Sequence, residues 1–88
     1  MKTMNNEAIE SKLKAMIVER LFLKIEPPQI ETDASLIDDY GVDSVSLLEL
    51  VVGLEDQFGI IVEDSDFNVQ NFLSVAALRD FVKERLSQ

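Results

Sequence analysis

The stretch Gly41-Val42-Asp43-Ser44-Val45-Ser46-Leu47-Leu48-Glu49-Leu50 holds the residues whose types and spacing best suit chemistry. A tight polar turn there delivers a serine onto the first turn of an apolar helix. Asp43 suits the N-cap position, where its carboxylate accepts from amides that have no intrahelical partner. Ser44 then stands at the positive end of the helix with its hydroxyl near solvent. Free amides and the helix dipole both favour an anion at that point, so a phosphate esterified to Ser44 is stabilised there. No His, Lys or Arg lies between Asp38 and Arg79 to serve as a base. Ser44 therefore reads as a site of attachment, not a nucleophile. The glutamates are scattered along helices instead of converging, and no catalytic residue is assigned.

Helices must hold this stretch in place. From about Asn6 to Lys24 the apolar residues Ile9, Leu13, Met16, Ile17 and Leu21 fall on one face of a long amphipathic helix, widened by Val18 and Phe22. Pro27-Pro28 is expected to stop it. Residues 25–42 form a long connection, with Ile30, Leu36 and Ile37 as apolar anchors and a short helical turn around 35–39. The second helix runs from about Ser44 to Phe58 and ends at Gly59, a suitable C′ residue. Its core face is Leu47, Leu50, Val51, Leu54 and Phe58. Val45, Leu48 and Val52 fall on the opposite side, beside Glu49, Glu55 and Asp56, as a second apolar stripe bordered by carboxylates. Ile60-Ile61-Val62 reads as an extended connector without a partner strand. A short third helix is expected over Asp64 to Asn71, with Phe67 pointing inward. Ser74 caps the last helix, with Val75, Leu78, Phe81, Val82 and Leu86 on its stripe and Lys83 and Arg85 in its last turn.

Composition narrows the function classes. The chain has 88 residues, 47% of them hydrophobic, enough for one domain over 1–88 with a real core. It has no cysteine and no histidine, which removes disulfides, thiolate chemistry and the commonest metal ligands. Asp64-Ser65-Asp66-Phe67-Asn68 imitates the start of a calcium loop. Val69 and Val75 stand where that loop needs Gly and Glu, so no metal site is assigned. The net charge of −9 argues against nucleic acid and favours basic partner surfaces. Met1 to Glu10 is unlike a signal peptide, and no apolar run reaches membrane-spanning length. The expectation is a cytoplasmic protein with no membrane span.

Gly41-Val42-Asp43-Ser44-Val45, then Leu48-Glu49-Leu50-Val51 and Leu54-Glu55-Asp56-Gln57-Phe58, resembles the acyl carrier protein family. The likeness extends from the first helix to Val75-Ala76-Ala77-Leu78. It implies an all-α four-helix bundle of acyl-carrier type, with three principal helices, a short third helix and a long loop between helices 1 and 2. It implies that Ser44 receives 4′-phosphopantetheine from coenzyme A, transferred by a phosphopantetheinyl transferase with magnesium, with Asp43 beside the attachment point. The arm's thiol would carry acyl groups as thioesters to enzymes of fatty acid or polyketide-type synthesis. Asp43, Val45, Leu48, Glu49, Val52, Glu55 and Asp56 match the surface that partner enzymes read, and the protein is expected to be a monomer. Leu47, Leu50, Val51, Phe67, Val75 and Leu78 could part to shelter an acyl chain.

Two residues depart from the family pattern. Val45 replaces the usual leucine after the serine, and Gly53 lies inside a helix at a cost of about 1 kcal/mol relative to Ala. Close helix packing is the expected reason for the glycine. Two other functions share much of this pattern: an aminoacyl or peptidyl carrier, and a non-covalent helical adaptor whose exposed stripe binds a partner helix.

Overall fold

The computed structural model describes residues 5–87. Met1 to Met4, where the polar start of the chain was noted, lie outside the described residues, as does Gln88. Four α-helices make the bundle: α1 (Asn6–Leu21), α2 (Leu36–Tyr40), α3 (Ser44–Phe58) and α4 (Val75–Leu86). Among the described residues there are no strands, and Ile60-Ile61-Val62 is an extended connector.

α1 is the central element, packed against both α3 and α4. Its stripe of Ile9, Leu13, Met16 and Ile17 is buried against Leu47, Leu50 and Leu54 of α3 and Val75, Leu78, Phe81 and Val82 of α4. The interior is apolar throughout, with Ser74 the single buried polar residue among those described. Ser74 is spent on structure, its Oγ accepting from the Ala77 amide at the start of α4. Asn5 caps α1 in the same way, and Ser35 caps α2. Each cap satisfies a helix-start amide that otherwise has no partner.

The long connection is anchored rather than loose. Ile30 and Leu36 are buried as expected, while Ile37 faces outward. Pro27 and Pro28 open a 3₁₀ turn at Pro27–Gln29. The Leu36 amide donates to the Leu73 carbonyl at 2.9 Å and the Ala76 amide to the Thr32 carbonyl at 2.9 Å, tying the connection to the start of α4. Gly41 ends α2 at φ 68, in the left-handed region where the lack of a Cβ removes the steric penalty. Val42, buried at once afterwards, fixes the point from which Asp43 and Ser44 depart.

Several local expectations need correction. α1 ends at Leu21, ahead of the prolines, because the chain turns left-handed at Phe22 (φ 53). The Phe22 and Leu23 amides both donate to the Val18 carbonyl, and Leu23 and Ile25 pack back on the core. Phe22 does not widen the core stripe; it is 85% exposed. The segment read as a third short helix forms two 3₁₀ turns, Asp64–Asp66 and Gln70–Phe72, so the short α-helix of the bundle is α2. Phe67 stays partly exposed, with its ring edge against Phe72, which is fully buried. Leu86 lies at the rim of the core, not within it.

At Gly53 the Met16 and Arg20 side chains of α1 lie directly over the backbone of α3. A Cβ there would stand 2.5 Å from Met16 Sδ and 2.9 Å from Met16 Cγ. Gly53→Ala gains about 1 kcal/mol of helix propensity against an overpacking cost of about 1–3 kcal/mol. Its urea midpoint should therefore fall. Phe22→Gly should do the reverse: it relieves a left-handed non-glycine residue, roughly 1–2 kcal/mol, and loses almost no buried surface. A higher urea midpoint for Phe22→Gly checks that reading.

Candidate functional site

α3 begins as its sequence dictates. Asp43 is extended (φ −110, ψ −175), and its Oδ1 accepts from the Ser46 amide at 2.8 Å. The Leu47 amide donates to the Asp43 carbonyl at 2.9 Å, the first bond of the helix. Among the described residues the Ser44 and Val45 amides have no full hydrogen bond of their own, although the Val45 amide lies within the field of the Asp43 carboxylate. The Ser46 amide, then the Ser46 hydroxyl, hold the Asp43 carboxyl below the ordinary aspartate value of 3.8.

Ser44 is exposed at the first position of the helix. No protein group among the described residues hydrogen-bonds its Oγ. The donor set therefore suits a phosphate ester on Ser44: uncommitted amides, the positive end of a fifteen-residue helix, and open solvent. Asp43 contributes by fixing that geometry, since its carboxylate is turned to Ser46.

Down the outer face of α3, Val45 (70%), Leu48 (56%) and Val52 (51%) are exposed, the second apolar stripe expected from the sequence. The three carboxylates beside it are exposed but not idle. Glu55 Oε2 accepts from the Val62 amide at 2.9 Å, holding the connector after α3. Glu49 and Asp56 both face Arg20 of α1, at 3.7 and 3.4 Å. Sequence reasoning passed over Arg20. Its signal was a charged residue four positions after Met16 and three after Ile17, on the flank of a core stripe, opposite a helix that contains a glycine.

Beside Leu48 lies an open cleft of about 300 Å³, lined by Leu48, Val51, Val62, Glu63, Asp64 and Phe67. Of the six residues expected to shelter an acyl chain, Val51 and Phe67 line it. Leu47, Leu50, Val75 and Leu78 are closed within the core. The turn forming its outer wall is held by an ion pair between Asp66 and Arg85, with the Arg85 guanidinium 5.2 Å from the Phe81 ring centroid. Asp66 Oδ2 also accepts from the Glu63 amide at 3.0 Å, so this carboxylate closes its own turn. Among the described residues no three acidic, His or Cys side chains gather as metal ligands, and no helix is long and apolar enough to cross a membrane.

A bundle that offers a bare serine at a helix start, above an apolar stripe, is the architecture of a carrier that bears a group covalently. Residues 11–82 match the family described as the phosphopantetheine attachment site. The chain is 34% identical over 82 residues to an acyl carrier protein of Thermotoga maritima, spanning 93% of this chain and 96% of that one. It is 32% identical over 78 residues to an acyl carrier protein of Nitratidesulfovibrio vulgaris, spanning 89% and 97% of the two chains. Among solved structures, apo KstB-PCP superposes with a TM-score of 0.73 at 27% identity, covering 89% of this chain and 86% of that one. The protein belongs to the acyl carrier protein family. Its cofactor is covalently attached 4′-phosphopantetheine.

The cap gives a pH signature. Because the folded-state pKa of Asp43 is depressed, its stabilising contribution is complete above 3.8 and is lost as pH falls through the lowered value. A carboxyl NMR titration should place Asp43 below the ordinary aspartate value of 3.8. Asp43→Asn, which can still cap, should melt closer to wild type than Asp43→Ala.

Proposed function

We propose that Ser44 is the attachment point of the 4′-phosphopantetheine arm. On this reading residues 1–88 form one carrier domain. It shuttles acyl groups among enzymes of fatty acid or polyketide-type synthesis. When bound, the arm supplies a terminal thiol that holds the acyl group as an activated thioester. The observation that carries the proposal is Ser44 itself, exposed at the N-terminus of α3 with, among the described residues, no hydrogen-bond partner on its own amide or on its hydroxyl.

The chain's own residues divide the work. Asp43 fixes the helix start, and the Ser44 and Val45 amides receive the phosphate charge. The chain has no histidine and the Asp43 carboxylate is turned to the Ser46 amide, so the base that takes the Ser44 proton comes from the phosphopantetheinyl transferase, not from this chain. Val45, Leu48 and Val52 offer apolar contact to partner enzymes. The surrounding negative charge steers basic docking surfaces into fast, weak association. The cleft between Leu48, Val51, Val62 and Phe67 suits an acyl chain in transit. The protein itself is a carrier, not a catalyst, and acts as a cytoplasmic monomer.

An aminoacyl or peptidyl cargo uses the same arm and fold. The relatives from Thermotoga and Nitratidesulfovibrio, both acyl carrier proteins by name, favour the acyl reading. Intact-mass measurement on wild type and Ser44→Ala, incubated with coenzyme A, magnesium and a broad-specificity transferase, tests the proposal. Wild type should gain one phosphopantetheine and Ser44→Ala none. No gain on folded, unmodified wild type would overturn the assignment, and mass spectrometry of the loaded thioester identifies the cargo.

A further inference from the structure

The C-terminal end of α1 and the outer face of α3 enclose an open groove of about 580 Å³, lined by Glu19, Arg20, Phe22, Glu49, Asp56 and Gln57. Glu49, Gly53 and Asp56 follow one another at i, i+4 and i+7 and so form one stripe along α3. Arg20 crosses that stripe at Gly53, with its Nε 3.3 Å from where a Cβ would stand. The missing side chain makes a saddle, and a guanidinium lies over it between two carboxylates.

This arrangement does little for the fold. Both ion pairs are long, and the Glu49 and Asp56 side chains are 53% and 63% exposed, so water screens them. Phe22, on the rim of the same groove, holds a left-handed backbone conformation while burying almost nothing. The left-handed backbone caps α1 through the Phe22 amide, but the aromatic side chain stabilises nothing in the free molecule and stands open to a partner. Guanidinium groups also stack on aromatic faces, and ammonium groups lack the planar fork that bridges two carboxylates.

We propose that Arg20 is a built-in competitor that sets partner specificity on the docking face. Its guanidinium fills a slot between Glu49 and Asp56 that an arginine of a partner enzyme enters by displacing it. Outgoing and incoming groups are alike, so the charge exchange is close to balanced. Selection then falls on what else the partner offers, namely contact with Phe22 at the rim. Partners presenting only scattered lysines lack the planar fork that bridges both carboxylates of the slot, and they are disfavoured. The inference rests on the carrier reading, because it presupposes partner enzymes with basic docking surfaces.

The test is direct binding, by calorimetry without coenzyme A, of a phosphopantetheinyl transferase whose carrier-binding surface bears arginine. Wild type is compared with Arg20→Gln, Lys83→Gln and Phe22→Gly at low and high salt. Arg20→Gln should lower Kd several-fold at low salt, and the gain should fade at high salt. Lys83→Gln, which removes the same unit of charge from α4, should change Kd less. Phe22→Gly should raise Kd several-fold even though it is the more stable protein, a separation that a merely structural role does not produce. The proposal is overturned if Arg20→Gln binds no tighter than Lys83→Gln, if it binds more weakly than wild type, or if Phe22→Gly binds as wild type. Failure of the wild type to accept phosphopantetheine would count against Ser44 instead, and the binding constants would still decide the role of Arg20.

Discussion

Met16 rests against the backbone of α3 where Gly53 has no side chain, and the rest of the bundle follows from that contact. The close approach lets the stripe of α1 reach Leu47, Leu50 and Leu54 on one side while Val75, Leu78 and Val82 of α4 close on the other. It sets the rotation of α3 about its own axis. With those leucines turned inward, the period of 3.6 residues sends Ser44, Val45, Leu48 and Val52 outward. The exposed serine at the helix start and the exposed apolar stripe below it are therefore consequences of how α3 is buried. The same contact brings Arg20 across to the outer face, so packing in the core and charge on that face share one cause.

Around that core, the chain ends most of its helices cheaply. Asn5, Ser35, Asp43 and Ser74 each accept from an amide at a helix start, and Gly41 and Gly59 close α2 and α3 in the left-handed region. Small polar side chains and glycine satisfy these termini without bulk or strain. Phe22 does the job of a glycine with an aromatic and is the exception. A domain of this size has little stability to spare. The Phe22 backbone closes α1, whereas its large apolar side chain is left in water and holds nothing together.

Acidity has more than one use here. Asp43, Asp66 and Glu55 are spent on backbone amides, and Glu10 pairs with Arg79 between α1 and α4. Arg79 binds Asp80 as well, and these carboxylates hold its guanidinium above its ordinary pKa. Such contacts order turns and helix contacts without placing charge in the core. The overall negative field nevertheless remains for long-range steering.

Much of this was legible in the residues. The steps between Ile9 and Ile17, the cap-and-serine turn at Asp43-Ser44, and the split of α3 into Leu47-Leu50-Leu54 and Val45-Leu48-Val52 are local periodicities that backbone geometry converts directly into faces. Asp43 and Ser74 as caps needed only nearest-neighbour chemistry. What misled was any feature that depends on distant chain. The prolines marked a stop, but Leu23 and Ile25 turning back onto the core ended α1 sooner. Residues 64–71 looked helical, but the pull of Asp66 towards Arg85 and of Phe72 into the core left two 3₁₀ turns instead. Glu49, Glu55 and Asp56 looked free because residues facing them lie seven to thirty-six positions away in sequence. The sequence by itself determined the bundle, the capped helix start that exposes Ser44 and the apolar stripe beside it, because each arises from interactions within a few residues. Only the tertiary structure decided which charges are already answered and where Phe22 stands, because Arg20 reaches Glu49 and Asp56 only once α1 packs over Gly53, and Phe22 turns outward where Leu23 and Ile25 fold back onto the core.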